Sequence, residues 1–176
     1  VAWNDYGVVL SELEKDEEAL EAFDEAIKLS DTEAEYYYNQ GTTLSKLDKT
    51  EEAIAAFEKA AEIEPNPRAY LAKGMALVSL KRFEEALEAF NSAIALDDTK
   101  ADLWAQKALA LYNLNKIDEA SAAIEKALSF DQDWKYALDL KELIDNPEES
   151  AETPSLDEDE GDNTDENVDN STETSN

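Results

Sequence analysis

Small and aromatic residues return at a fixed interval along most of the chain, and this recurrence limits the possible folds more than any other feature. Gly7, Gly41, Gly74 and Ala108 are separated by 34, 33 and 34 residues. Ala19, Ala53, Ala86 and Ala120 keep the same steps, as do Phe23, Phe57, Phe90 and Ile124, and then Ala26, Ala60, Ala93 and Ala127. Several residue types held in one phase over successive cycles define a repeated supersecondary unit. One unit cannot bury its own apolar face, so neighbours must stack. The one-residue contraction falls at Pro65-Asn66-Pro67, in a connection, where a deletion is tolerated more easily than inside a helix.

Each unit reads as two helices joined by a turn. In the second, Tyr37, Gln40, Gly41 and Leu44 share one face of a first helix at i, i+3, i+4 and i+7, while Ala53, Ile54, Phe57, Ala60 and Ala61 line a second helix. Asp16, Thr50 and Asp118 are expected to cap the second helices, followed by acidic first turns such as Glu51-Glu52 that suit the positive end of the helix dipole. A glycine inside a helix costs about 1 kcal/mol relative to alanine. Gly7, Gly41 and Gly74 in phase therefore predict a neighbouring helix that leaves no room for a Cβ, and Ala108 at the fourth position points to a need for smallness rather than for an unusual backbone angle.

Composition removes several chemistries. The 176 residues contain 15 Lys+Arg against 44 Asp+Glu, a formal net charge of −29, with no His and no Cys. Disulfides, thiolate nucleophiles, imidazole bases and ordinary zinc sites are thereby excluded, and no cofactor is expected. Phosphate backbones are bound through Lys and Arg, so nucleic acid is not an expected partner. Apolar runs are only a few residues long, far short of the roughly 20 needed to span a bilayer. Residues 146–176 hold many carboxylates, no basic residue and no aromatic, which predicts a disordered acidic tail following a folded body over 1–145. The start at Val1 rather than Met is read as the mark of a fragment or a processed product, and a cytoplasmic setting is the expectation.

These residues resemble the tetratricopeptide repeat, whose pattern W-x2-L-G-x2-Y, A-x3-F and P is met four times. Trp3, Tyr6, Gly7, Leu10, Ala19, Phe23 and Ala26 carry it first; Tyr37, Gln40, Gly41, Leu44, Ala53, Phe57, Ala60 and Pro65 second. Tyr70, Lys73, Gly74, Leu77, Ala86, Phe90 and Ala93 form the third set, and Trp104, Lys107, Ala108, Leu111, Ala120, Ile124 and Ala127 the fourth. Polar Gln40, Lys73 and Lys107 depart from the first Leu of the pattern, and the terminal proline survives only as Pro65. The resemblance implies an all-α, right-handed α-solenoid of about four helix-turn-helix units, near 1–33, 34–66, 67–100 and 101–134, closed by a capping helix over 133–145 that ends at Asn146-Pro147.

The resemblance also implies that first helices line a concave side. The stripe next to the core stripe reads Asn4, Val8 and Ser11; Tyr38, Thr42 and Ser45; Leu71, Met75 and Val78; Ala105, Leu109 and Tyr112. Helix 69–80 is apolar nearly all round, as expected of a helix that is buried or awaits a ligand. Two readings stay open: a groove for a peptide or helix of a partner, basic or apolar in character, or a row of side chains already buried by curvature of the stack. The first assigns the site to Asn4, Val8, Tyr38, Thr42, Lys46, Arg68, Leu71, Met75, Val78, Leu109 and Tyr112, with Lys46 and Arg68 flanking the groove to meet an acidic group, or simply balancing surface charge.

One subclass of the family clamps the C-terminal carboxylate of chaperones with Lys and Asn at set positions. Asn4 and Val8, then Asn39 and Thr42, stand where that set wants a Lys and two Asn, and Ala72 stands where it needs a basic residue, which argues against a chaperone-tail adaptor. Carboxylate pairs such as Glu17-Glu18, Glu51-Glu52 and Glu84-Glu85 recur at equivalent positions and read as solvated helix starts rather than as acid–base pairs. The run from Asp157 to Asp162 resembles a calcium loop only loosely, with Gly161 where a ligand is needed, and Asn170-Ser171-Thr172 fits the glycosylation triplet. The expectation is therefore a non-enzymatic interaction scaffold, whose acidic tail aids solubility, steers basic partners or folds back as an autoinhibitor. The alternative is a structural segment of a larger repeat array.

Overall fold

The computed structural model describes residues 2–146, which contain nine α-helices and no strand. The predicted tail, the calcium-like run and the glycosylation triplet lie outside the described residues, Asn146 apart. The helices are α1 (Ala2–Glu12), α2 (Asp16–Leu29), α3 (Ala34–Lys46), α4 (Thr50–Ile63), α5 (Pro67–Ser79), α6 (Phe83–Leu96), α7 (Ala101–Asn113), α8 (Ile117–Phe130) and α9 (Lys135–Asp145). Each odd-numbered helix up to α7 packs on the helix that follows it, and each second helix packs on the next first helix, giving an all-α solenoid. The α4–α5 connection spans residues 64–66, one fewer than 30–33 or 97–100, which is the contraction seen in the sequence.

The phased glycines meet the phased phenylalanines. A Cβ built on Gly7 would stand 2.7 Å from Phe23 Cε1, one on Gly41 2.8 Å from Phe57 Cδ1, and one on Gly74 2.3 Å from Phe90 Cε1. Each ring is buried in the second helix of its own unit, so the close neighbour is a side chain lying across the first helix rather than a backbone. In the fourth unit Ala108 is paired with Ile124, both fully buried. The larger residue on one helix is exchanged for a smaller one as the glycine gains a methyl, which keeps the shared volume filled at ordinary packing density.

The turns inside each pair close differently from the expectation. Asp16 and Thr50 are the first residues of their helices and Asp118 is the second residue of α8, while the preceding Lys15, Lys49 and Lys116 hold the capping positions without a side-chain cap. The turn is made by the end of the first helix. Glu14, Asp48, Lys81 and Asn115 adopt φ of 57–59°, and the next N–H reaches back to Leu10, Leu44, Leu77 or Leu111 carbonyl oxygen at 2.9 Å. This is the left-handed helix stop, built here on residues other than glycine. Among the described residues Asn66 is the one side-chain cap at a helix start, accepting from Arg68 N–H at 2.9 Å with Pro67 as the first helical residue.

The polar residues that replace the first Leu of the repeat serve the junctions between units. Gln40 Nε2 donates to Asp24 Oδ1 at 2.7 Å, and Lys73 Nζ to Glu58 Oε1 at 2.9 Å. Lys141 of α9 stands 3.7 Å from Glu125 Oε1 in the same phase. At the third junction the carboxylate position is Asn91, and Lys107 lies over the Trp104 ring instead, 5.3 Å from its centroid. Beyond the fourth pair, α9 packs Ala137, Leu140 and Ile144 against α7 and α8.

Candidate functional site

The inner face is set by the first helices α1, α3, α5 and α7, and its residues show a gradient of cover. Asn4 is only 4% exposed, and its Oδ1 accepts from Asn39 Nδ2 at 2.9 Å, so its amide is spent on the junction between the first two units. Ala105 is fully buried. Val8 is half-buried against Leu10 and Phe23. Tyr38 rests on Leu44 and Phe57, its ring 5.7 Å from the Phe57 ring. Leu71 and Val78 lean on the cluster around Leu77 and Phe90, and Leu109 and Tyr112 on the one around Ala108 and Ile124. Met75 differs, with half of its surface exposed (50%). Thr42 is exposed, and its hydroxyl donates to Tyr38 carbonyl oxygen at 2.9 Å. Of the stripe, Thr42, Ser45 and Met75 are left exposed.

The two flanking cations have different surroundings. Lys46 Nζ donates to Ser11 Oγ at 2.7 Å and stands 3.4 Å from Asp16 Oδ1, so it ties the turn of the first unit to the second. The Arg68 guanidinium lies over the Tyr38 ring, 4.8 Å from its centroid, and forms no ion pair among the described residues. It borders a hollow of about 260 Å³ that also takes in Tyr38, Glu35, Asn39, Asn66 and Glu64. A smaller hollow of about 140 Å³ joins Val8, Thr42 and Lys46 with Ser11 and Asn39. The structure thus gathers Tyr38 with Arg68, and Val8 with Thr42 and Lys46, whereas Leu71, Met75, Val78, Leu109 and Tyr112 line neither hollow. Asn39, shared by both hollows, was not assigned to the site, although it adjoins Tyr38 and was weighed among the positions of the carboxylate clamp.

One of the recurrent carboxylates, Glu85, is shifted away from what a general acid needs. Glu85 is held below its ordinary range, first by the hydrogen bond from Arg82, whose Nη2 reaches Oε2 at 2.6 Å. The other arm of Arg82 pairs with Glu51 of the preceding unit at 2.9 Å. A general acid needs the opposite shift, produced by burial away from cations. Among the described residues no group of acidic side chains is arranged to hold a metal ion, and no helix is long and apolar enough to cross a membrane.

A row of helix hairpins with a half-open inner face defines a helical-repeat protein of the kind that offers an extended surface to other molecules. The chain belongs to the tetratricopeptide repeat family, whose profiles match residues 1–33, 38–101 and 77–144. Among solved structures it is similar to the MamA protein, at 22% identity and a TM-score of 0.77 over 81% of this chain and 79% of that one. It is also similar to YrrB, described as a TPR protein with an unusual peptide-binding site, at 24% identity and a TM-score of 0.74 over 86% of this chain and 79% of that one. The first TPR of Spaghetti (RPAP3), bound to the HSP90 peptide SRMEEVD, is 25% identical with a TM-score of 0.64 over 65% of this chain and 92% of that one. No curated protein sequence matches the chain significantly.

Proposed function

We propose that the chain is a non-catalytic interaction scaffold that takes a peptide or helix of a partner protein along the inner face of α3, α5 and α7. The observation that carries this reading is Met75, half-exposed in the middle of an inner row whose neighbours Leu71, Val78, Leu109 and Tyr112 are only partly covered. A solvated surface would show charge at such positions, and an unbranched thioether adapts to the shape of whatever side chain meets it. Arg68, stacked on Tyr38 and in no ion pair among the described residues, adds a cation at one end of the row, where an acidic side chain of the ligand would be received; Lys46, already engaged, is the weaker candidate. Peptide binding by YrrB and by the first TPR of RPAP3 supports the class of ligand. Asn4, Val8, Thr42 and Ala72 do not supply a carboxylate clamp, so the partner is met mainly by apolar contact rather than through its chain terminus.

The test uses Met75→Glu and Arg68→Glu, both at exposed positions. With a cognate partner identified by cross-linking, each is expected to weaken binding at least ~10-fold while the far-UV circular dichroism stays that of the parent. Undiminished binding by both variants would leave the chain as a structural segment with an idle inner face.

A further inference from the structure

The junction between the second and third units is short of side-chain volume. Ala61, near the end of α4, and Ala69, in the first turn of α5, share one buried cluster with Ala60. The residues in the same phase at the other junctions are Ile27 with Tyr36, Ile94 with Leu103, and Leu128 with Ala137. Each of those pairs contains at least one large apolar residue, and only the junction of α4 with α5 sets alanine against alanine. The space is not all recovered by closer packing. The hollow of about 260 Å³ opens beside Ala69, walled by Ala34 and Tyr38 of α3 and by Ala60 of α4. These helices all have neighbours on both sides in the solenoid, so the opening is not the bare face of a terminal helix.

The walls and the rim indicate the occupant. Three alanines leave a smooth apolar floor, and the Tyr38 ring offers an aromatic side wall, which suits a ring in edge or offset contact. On the rim, the Arg68 guanidinium is held over Tyr38 at 4.8 Å and forms no ion pair among the described residues, although Glu35 and Glu64 border the same hollow. A guanidinium stacked through its face keeps its N–H edge for a carboxylate. Glu35 and Glu64 are exposed and solvated, so they oppose an incoming carboxylate less than the fixed cation attracts it. We infer that this hollow is the anchor pocket for an aromatic side chain of a partner segment, with an acidic residue next to it in sequence meeting Arg68. The ring supplies from outside the bulk that Tyr36 and Leu103 supply from within at the neighbouring junctions. This anchor rests on the inner-face binding proposed above, and names the residue pair that such a ligand carries.

The test titrates the full chain with three short peptides, acetylated and amidated so that no terminal charge takes part: one with a central Phe-Glu between glycines, one with Ser-Glu and one with Phe-Lys. NMR shifts of the Ala60 and Ala69 amides follow the binding. The first peptide is expected to bind at least ~10-fold more tightly than either of the others. Ala69→Leu fills the hollow from within, and should abolish this binding while the urea midpoint stays at or above that of the parent. A lowered midpoint would mean that α5 has closed on α4 and leaves no room, and would overturn the inference. So would undiminished binding by Ala69→Leu, equal binding of the three peptides, or a preference for Phe-Lys, which would give control of the rim to Glu35 and Glu64. With the cross-linked partner of the inner row, a loss on Met75→Glu but none on Ala69→Leu would overturn the anchor and leave the inner row standing.

Discussion

Replacing Gly74 with alanine sets two effects of opposite sign against each other. An exposed helix position would gain about 1 kcal/mol from the change, because alanine loses less backbone freedom than glycine. The added Cβ would stand 2.3 Å from Phe90 Cε1, 2.7 Å from Cδ1 and 2.8 Å from Cζ, all well inside ordinary contact. The Phe90 ring is fully buried among Ile54, Leu77, Ala86 and Ala89, so it cannot swing away without displacing the junction to the next unit. Overpacking of a filled core costs about 1–3 kcal/mol, and a contact this short lies at the upper end. The net expectation is a destabilisation of about 2 kcal/mol, after the helix gain is subtracted. The fourth unit supplies the control, since Ala108 and Ile124 share the same place without conflict. Phe90→Ile alone should cost about 1–2 kcal/mol by leaving space unfilled. Added to Gly74→Ala it should cost clearly less than the sum, with a coupling of about 1–2 kcal/mol. Urea unfolding followed by far-UV circular dichroism, with the slope checked for a change in cooperativity, measures all three variants. A neutral or stabilising Gly74→Ala, or strictly additive single changes, would refute the account of the phased glycines.

Other consequences follow from the turns, the cap and one loop. Lys81 has a φ of 59° at the end of α5, so Lys81→Gly should raise stability by about 0.5–1 kcal/mol, read from the urea midpoint; destabilisation would show that the lysine side chain matters there. Ile144→Ala in α9 removes a residue only 1% exposed, and should cost about 2–5 kcal/mol, with faster amide exchange in α7 and α8 before the first unit is affected. Asp97 accepts from the Thr99 hydroxyl at 2.6 Å and from Thr99 N–H at 3.0 Å, and these bonds hold its carboxyl below the ordinary 3.8. Its support for the α6–α7 connection should therefore be complete above that value and be lost as pH falls through the lower folded value. An NMR titration should place the Asp97 inflection below 3.8, and Thr99→Ala should return it toward that value.

The repeat was legible because its constraint is steric and local to one pair. Gly7 with Phe23, Gly41 with Phe57 and Gly74 with Phe90 are each 16 residues apart, and the exchange to Ala108 with Ile124 keeps that spacing. The turns were hard to read, because Asp16, Thr50 and Asp118 have the chemistry of caps, while the chain in fact turns on left-handed Glu14, Asp48, Lys81 and Asn115, of which only Asp48 and Asn115 are residue types that favour that conformation. The inter-unit bridges were half-visible. Gln40, Lys73 and Lys107 stood out as departures from the repeat, but the carboxylate partners of Gln40 and Lys73 lie on preceding helices at positions that read as ordinary surface, and Lys107 turns to the Trp104 ring instead. For the site, periodicity assigned side chains to a stripe but could not grade their cover. Cover depends on what each side chain meets across its junction: Asn4 is sealed by its hydrogen bond with Asn39, while Met75 stays open.

The central claim is that partners are held on the inner row of first helices, and site-specific photo-cross-linking addresses it directly. A photoreactive amino acid placed at Met75 reports on that row, and one at exposed Ala95, on second helix α6, serves as the reference. The account predicts a discrete adduct from position 75, mapping by mass spectrometry to one short segment of a partner and lost when Arg68→Glu is added, with none from position 95. Adducts of equal yield from both positions, or from position 95 alone, would contradict it.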